Sequence, residues 1–406
     1  MDFQWLKAIN VFFHGCTILF LSYWFYRKLP IFLYFVCLIL FIFNTKLLHS
    51  LNDLISDIVF LTFSTIAVCQ LNDVKKCEAK AHWLTLLLII FCCLGAMICR
   101  RNGILIPLAL LACLIISLNS KLNTCTGLNL TKNTRLQYFS IVFTSCSLFW
   151  IYSMFFPNGD EPHVEYLKEN LSVESLNSNF WHYSFVMVDF FKGYPGSKFL
   201  YGMSLPFLFL GLSVHFKKHF FILLYGFFTI VLFWLWPYEQ GLRFFYPLIP
   251  FYLYFVALGI KEFPQKLHAF SNLFSQGFSI LLIILVMNSI KISYSYRKES
   301  ESNATSSCAN EMYEFVKDHV PKVNKVFFWK PRVLHLFTGR ISIASDEIFQ
   351  LQNKDRVCII KSQDVRYSFG RRNIENLIVD SQFEIEFENS EFLIFCFNRN
   401  GRDSLL

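Results

Sequence analysis

The sequence predicts a polytopic α-helical membrane domain of about ten spans, followed by a small α/β soluble C-terminal domain. The first observation behind this fold class is composition: 54% of the 406 residues are hydrophobic and only 16% are charged. A soluble globular chain is about 45–50% apolar and about 25% charged, and the mean hydropathy here is +0.43. These values exclude an ordinary soluble enzyme, a disordered chain and a secreted disulfide scaffold, and they leave a membrane protein with several spans.

The second observation is a change in charge near residue 293. Residues 1–293 contain 21 Lys and Arg against 13 Asp and Glu, whereas residues 294–406 contain 16 of each. The net charge of +8 therefore lies in the first part, where positive loops facing the cytoplasm explain it. We expect residues 1–293 to form the multi-span domain and residues 294–406 to form one soluble outer domain. No stripe of basic and aromatic residues supports a nucleic-acid partner.

Ten apolar runs approach the length of about 20 residues that a membrane-spanning helix requires. Lys and Arg are concentrated in alternate loops, so the positive-inside rule places the N-terminus outside and those loops in the cytoplasm. The long acidic loop 157–197 and the C-terminal domain then also lie outside. We expect an integral protein of a bacterial inner membrane with this orientation. The ten runs are 8–25, 30–44, 54–70, 82–98, 102–118, 138–156, 198–214, 217–236, 244–260 and 275–293.

The C-terminal domain alternates helical and strand patterns, as is typical of an α/β fold. Residues 311–319 have a helical apolar stripe, and short apolar runs typical of buried strands follow it. Cys308, Cys358 and Cys396 include one disulfide pair if the domain faces an oxidising compartment, and the sequence does not say which two are joined. The predicted strands are 325–329, 357–360 and 392–397.

Three arginines break the positive-inside pattern. Arg100 and Arg101 fall in an outer turn between two spans, and Arg243 falls in a second outer turn. A guanidinium group pairs bidentately with phosphate and stays charged at any relevant pH. The arginines therefore predict a lipid-linked anionic substrate at the outer face. The alternative is that each side chain only extends from its helix end to the lipid headgroups.

Carboxylates predicted at the same face supply candidate acids and bases for an acceptor hydroxyl. Asp57 stands at an outer span entrance, and a carboxylate there is a functional candidate, with a purely structural role as the alternative. Asp160 and Glu161 belong to the densest titratable cluster of the outer loop, for which a solvated acidic loop is the alternative. Gln240 lies three residues before Arg243 and is a further candidate for the phosphate site.

Four stretches form an ordered set of motifs along the chain. Asn10-Val-Phe-Phe-His14 opens an early span, and Leu54-Ile-Ser-Asp57 starts a later one. Cys99-Arg-Arg101-Asn-Gly103 is close to the pattern Arg-x-Gly-Leu-Leu, and Gln240-Gly-Leu-Arg243-Phe-Phe-Tyr-Pro247 is close to Gln-x-x-Arg-Tyr-x-x-Pro. Together they resemble the GT-C glycosyltransferases that use polyprenyl-phosphate sugars, such as the lipid A aminoarabinose transferases and the protein O-mannosyltransferases.

This resemblance implies transfer of a sugar from a polyprenyl-phosphate donor to a lipid, glycan or protein acceptor at the outer face. No cofactor is certain, and a divalent metal near the donor phosphate is an optional one. The implied donor-phosphate residues are Arg100, Arg101, Arg243 and Gln240, and the implied catalytic residues are Asp57, Asp160 and Glu161.

The chain departs from the family pattern near its N-terminus. Members of the class place a catalytic Asp or Glu in the first outer loop, whereas residues 10–25 here resemble the span that follows that loop. The resemblance therefore implies that the first span and its loop are lacking, which leaves catalytic activity an open question. The alternatives are a non-catalytic membrane scaffold and a transporter of lipid-linked substrate. The sequence does not show the midplane charges and paired broken spans that are typical of a transporter.

Overall fold

The chain divides into two compact units, Phe3–Glu299 and Ser300–Leu406. The first unit holds the apolar runs and the second holds the charge-rich tail. The computed structural model describes residues 3–52, 56–74, 83–119, 126, 130–156, 172–192, 194, 196–236, 241–266, 282–294, 306–322, 324–328, 331–340, 342–343, 357–362 and 383–397.

Helices build the first unit, because a backbone in lipid must satisfy its hydrogen bonds within the segment. Its helices are α1 (Phe3–Tyr26), α2 (Ile31–Ile42), α3 (Thr45–Asn52), α4 (Asp57–Val74), α5 (Trp83–Cys99), α6 (Leu105–Leu118), α7 (Lys132–Phe155), α8 (Val173–Phe185), α9 (Ser197–His215), α10 (Phe220–Trp234), α11 (Ile249–Lys266) and α12 (Leu282–Tyr294). In the described ranges, three 3₁₀ helices lie between them, at Arg101–Ile104, Val186–Phe191 and Leu242–Leu248.

The described helices confirm a multi-pass membrane domain. Five of its segments are long and apolar enough to span a membrane, and α2 with α3, bent by 46°, makes a sixth. Three shorter apolar helices, α5, α10 and α12, accompany them. Each of the ten predicted runs overlaps a described helix. Three of the helices are shorter than a span requires, and α4 carries Asp57 and Asp73 near its two ends.

The predicted outer loop 157–197 contains a helix and a 3₁₀ helix, α8 and Val186–Phe191. α8 begins with a reciprocal capping box: Ser175 N–H donates to Ser172 Oγ at 3.1 Å, and Ser172 N–H donates to Ser175 Oγ at 3.1 Å. Such a box satisfies two backbone groups that a helix start leaves open. Polar residues interrupt the apolar pattern of this segment, so its sequence did not predict the helix.

An ion pair fastens α1 to α4 at the end that the sequence predicts to be cytoplasmic. Lys28 Nζ donates to Asp73 Oδ1 at 2.5 Å, and Trp24 Nε1 donates to Asp73 Oδ2 at 3.2 Å. The Trp24 ring in turn lies 4.5 Å from the ring of Tyr254 on α11. Both oxygens of the carboxylate are therefore satisfied beside a packed aromatic core, as a partly buried charge requires.

Helices α9 and α11 cross at two glycines. A Cβ atom on Gly211 would lie 2.0 Å from the carbonyl oxygen of Phe255, and one on Gly259 would lie 1.8 Å from that of Phe207. Close contact between helix backbones is a common way for membrane helices to associate, and it requires small residues.

Gly211→Ala is therefore expected to lower the free energy of unfolding by about 1–3 kcal/mol, the usual cost of overpacking. The measurement is the melting temperature of the protein in detergent. Gly202→Ala is the matched control, because Gly202 lies in the same helix with no atom within 4 Å of its added Cβ. Equal melting temperatures for the two variants would contradict the crossing.

The second unit contains five described strands and two described helices. They are α13 (Ser307–Asp318), β1 (Lys325–Phe327), α14 (Pro331–Thr338), β2 (Ser342–Ile343), β3 (Val357–Ser362), β4 (Phe383–Glu388) and β5 (Phe392–Phe397). The strands form one mixed sheet with the order β2-β1-β3-β5-β4. The parallel part pairs β1 with β2 and β3, and β5 pairs antiparallel with β3 and β4. Apolar residues of α13 and of the sheet share one core.

The sheet confirms the α/β prediction for the tail and the three predicted strands. The structure also joins Cys358 to Cys396 in a disulfide between β3 and β5, where the two residues face each other in the register. Both cysteines are buried, whereas Cys308 is free and half-buried. The tail therefore does contain one disulfide pair among its three cysteines.

Candidate functional site

A buried ion pair joins α4 to the end of α5. Asp57 is the first residue of α4 and is only 1% exposed, and its Oδ1 pairs with Nη2 of Arg100, the residue that follows α5. Ser56 Oγ donates to the carbonyl oxygen of Cys99 at 3.1 Å, which fixes the two helix ends beside each other. The carboxylate therefore lies at a helix N-terminus, where the helix dipole also favours negative charge.

A tight turn presents Arg100 to the carboxylate. The Arg100 backbone is extended, with φ −150° and ψ 135°, and its N–H still donates to the carbonyl oxygen of Ala96 at 3.0 Å. Gly103 N–H donates back to the carbonyl oxygen of Arg100 at 2.8 Å. A Cβ on Gly103 would lie 2.4 Å from backbone atoms of Ala96 and Met97, so the turn closes only with glycine at this position.

Gly103→Ala is expected to open this turn and displace Arg100. We expect about 1–3 kcal/mol of lost stability from the clash, read as a lower melting temperature in detergent. Gly15→Ala serves as the control, because Gly15 lies in α1 with nothing within 4 Å of the added Cβ. An unchanged Gly103→Ala protein would show that the turn adapts.

Phe244 lies against two guanidinium groups. The Cζ atom of Arg100 is 4.5 Å from the Phe244 ring centroid, and that of Arg243 is 5.0 Å from it. Such cation–π contacts favour charged side chains at an apolar surface. Burial and the nearby charge of Arg243 lower the pKa of Arg100 to about 10, which leaves the group charged at neutral pH. The guanidinium groups of Arg100 and Arg243 thus lie close together, and among the described contacts one carboxylate, that of Asp57, opposes their charge.

Tyr246 holds this arginine-bearing 3₁₀ helix against α3. Its hydroxyl donates to the carbonyl oxygen of Lys46 at 3.0 Å and lies 2.7 Å from Ser50 Oγ. Tyr246 and Ser50 are both buried. The carbonyl of Phe190 accepts from Asn44 Nδ2 at 2.8 Å, which fixes the start of α3 as well. The segment Leu242–Leu248 is therefore held against α3 by neutral hydrogen bonds.

Four of the seven predicted site residues lie in the described part of the chain. Arg100 and Arg243 share one aromatic ring, Asp57 pairs with Arg100, and Arg101 is exposed in the 3₁₀ helix Arg101–Ile104. Asp160, Glu161 and Gln240 lie outside the described residues. Within the described ranges, no group of three or more His, Cys, Asp or Glu side chains is placed to hold a metal ion.

Sequence reasoning missed two parts of this arrangement. It did not predict that Asp57 and Arg100, 43 residues apart, form a pair, nor that Phe244 contacts two arginines. For the contact of Phe244 with two arginines, the only signal in the sequence was the position of this aromatic residue next to Arg243. Nothing in either motif alone indicates which arginine a carboxylate would neutralise.

Solved structures of a bacterial membrane protein are similar to this chain over nearly its whole length. ArnT from Cupriavidus metallidurans bound to undecaprenyl phosphate is similar over 97% of this chain and 83% of its own, with a TM-score of 0.54 and 9% sequence identity. The apo form of that ArnT is similar over 96% and 82%, with a TM-score of 0.50 and 8% identity. No protein-family model matches this chain, and no curated protein matches it by sequence. The chain therefore has the fold of these ArnT structures over nearly its whole length.

Proposed function

We propose that this protein is a membrane glycosyltransferase that takes its sugar from a polyprenyl-phosphate donor at the outer face of the membrane. The fold supports the proposal, since a structural neighbour is ArnT bound to undecaprenyl phosphate. The motif resemblance noted in the sequence supports the same donor class. The single observation that carries the proposal is the convergence of Arg100 and Arg243 on Phe244.

The charge balance of this cluster favours an anion at Arg243. Asp57 offsets the charge of Arg100, while Arg243 is exposed and forms none of the salt bridges found among the described residues. Arg101, also exposed, adds a second positive charge to the turn at the end of α5. A phosphate at the membrane surface is an anion that a planar guanidinium binds through two hydrogen bonds.

The transfer step requires stabilisation of the leaving phosphate. An acceptor hydroxyl attacks the anomeric carbon, the bond from that carbon to the phosphate oxygen breaks, and the polyprenyl phosphate leaves with one more negative charge. In this proposal Arg243 and Arg101 stabilise that charge, because an electrostatic contact accelerates the step when it strengthens in the transition state. Asp160 or Glu161 accepts the proton of the acceptor, and Asp57 orients Arg100.

The outer location of the C-terminal unit belongs to this proposal. A buried disulfide joins Cys358 to Cys396, and such bonds persist in oxidising compartments such as the bacterial periplasm. This supports the orientation predicted from the loop charges, with the C-terminal unit outside a bacterial inner membrane. The acceptor then approaches from the periplasmic side.

Binding of undecaprenyl phosphate to the purified protein in nanodiscs tests the donor site. Arg243→Gln is expected to weaken binding about 10- to 150-fold, the effect of losing a charged hydrogen bond worth about 1.5–3 kcal/mol. Arg27→Gln is the matched control, because Arg27 is also exposed and lies 5.4 Å from an aromatic ring, that of Tyr23. Equal affinities for the two variants would overturn the site.

Release of polyprenyl phosphate from a sugar-loaded donor tests the transfer step separately. We expect Asp160→Asn or Glu161→Gln to reduce release while leaving donor binding unchanged. A wild-type protein that binds the donor and releases nothing with any acceptor would replace the proposal with the non-catalytic binding protein. Donor binding and donor turnover, measured separately, thus distinguish a glycosyltransferase from a non-catalytic binding protein.

A further inference from the structure

Helix α8 has an exposed aromatic face in its second half. Phe180, Trp181 and Phe185 are 49%, 58% and 56% exposed. The rings of Trp181 and Phe185 stack one turn apart, with centroids 6.4 Å from each other. The first turns of the helix expose polar Glu174 and Asn177, with Val173 as the one apolar residue exposed among them. An exposed apolar surface of this kind, on a helix outside the spans, marks a contact with a membrane or with another protein.

The opposite face of α8 is fixed to the ends of two membrane helices. Asn179 Nδ2 donates to the carbonyl oxygen of Trp234 at 3.2 Å, and Trp234 Nε1 donates to that of Leu176 at 2.8 Å. Near the other end of α8, the Tyr201 hydroxyl donates to the carbonyl oxygen of Ser184 at 2.6 Å. Trp234 ends α10 and Tyr201 lies in the second turn of α9, so α8 lies where two membrane helices meet the membrane surface.

The exposed aromatic face continues into the lipid-facing surface of these helices. Trp234 and Leu235 at the end of α10, and Phe199 at the start of α9, are exposed. The ring of Phe180 lies 6.0 Å from that of Trp234, which makes the two surfaces one. Lys198 is exposed beside Phe199, where an ammonium group suits lipid phosphates.

We infer that α8 is an interfacial helix whose aromatic face, Phe180, Trp181 and Phe185, lies in the headgroup region of the outer lipid leaflet. Tryptophan is enriched at the boundary between headgroups and acyl chains, and an amphipathic helix binds there by burying its apolar face. The polar first turns around Glu174 face water. The partner of this surface is phospholipid and not a second protein, because the surface is continuous with the membrane-facing surface of α9 and α10.

Aromatic contacts join the buried face of α8 to the candidate site. Tyr183, on the buried face of α8, lies 5.5 Å from the ring of Phe245, two residues after Arg243. It also lies 6.1 Å from the ring of Phe233 on α10. The depth of α8 in the leaflet therefore sets the depth of the arginine-bearing 3₁₀ helix.

Photocrosslinking of the full chain in vesicles of phosphatidylethanolamine and phosphatidylglycerol tests the lipid contact. p-Benzoylphenylalanine replaces Trp181 or Phe185 in two separate variants, and Glu174 in the control. All three side chains are exposed, so the fold should tolerate each replacement. Mass spectrometry then identifies what each position captures.

Phospholipid adducts at 181 and 185, at least about fivefold more than at 174, are the expected result for an interfacial helix. Crosslinks between two copies of the chain would overturn the inference in favour of a protein interface. Equal, low lipid capture at all three positions would overturn it in favour of a water-exposed face. Neither outcome depends on donor binding, so the inference and the proposed glycosyltransferase activity fail independently.

Discussion

Asp57→Asn is expected to destabilise the membrane unit by about 3–5 kcal/mol, because removal of one partner leaves the other charge buried without compensation. Asp57 is 1% exposed and Arg100 is 14% exposed, so water reaches neither group freely. Arg100 also lies near the charge of Arg243, since both guanidinium groups contact the ring of Phe244. In the variant, two like charges converge and no described carboxylate opposes them. The measurement is the free energy of unfolding in a detergent titration.

The double variant Asp57→Asn with Arg100→Gln distinguishes a structural pair from a catalytic acid. It should recover most of the lost stability, because the uncompensated charge is gone, and the double-mutant cycle should show coupling well above the roughly 0–1 kcal/mol of an exposed pair. An Asp57→Asn protein with normal stability and no sugar transfer would point the other way. That result would assign Asp57 to the catalytic role that the family resemblance implies.

The helical spans and the arginine turns were readable from sequence, since both depend on local pattern. A run of apolar residues is visible in one dimension, and so is a charge such as Arg243 at the end of one. The partner of that charge is not visible, because Asp57 and Arg100 meet only when α4 and α5 pack side by side. Phe244 gains its role in the same way, from the turn that brings Arg100 over its ring.

Helix α8 and strand β4 are among the elements that the sequence did not predict, and the reasons differ. Helix α8 has no apolar stripe along its whole length, because its first half is mainly polar and its second half is aromatic. Its sequence therefore lacks the apolar periodicity that predicts a helix. Strand β4 has the sequence Phe-Glu-Ile-Glu-Phe-Glu, a strict alternation that does predict a half-buried strand. It lacks the continuous apolar run by which β1, β3 and β5 were predicted. The roles of Asp160, Glu161 and Gln240 remain predictions.

Cys396→Ser is expected to destabilise the C-terminal unit by about 4 kcal/mol, from the chain entropy that a disulfide removes from the unfolded state. The bond closes a separation of 38 residues and joins β3 to β5 within the sheet. Both cysteines are buried in the core that the sheet shares with α13. Limited proteolysis of the full chain should cut this unit faster in the variant, and reduction of the wild-type protein should produce the same pattern.

Cys308→Ser is the matched control for the disulfide. Cys308 is free and half-buried, with its sulfur 3.1 Å from Ser390 Oγ, so its loss should change stability by no more than about 0.5 kcal/mol. The same residue reports the side of the membrane. Because the proposed orientation places the unit outside, a membrane-impermeant maleimide added to intact cells should label Cys308→Ser less than wild type. Labelling only after lysis would place the unit in the cytoplasm, where thiols are kept reduced, and the disulfide would then lose its stabilising role.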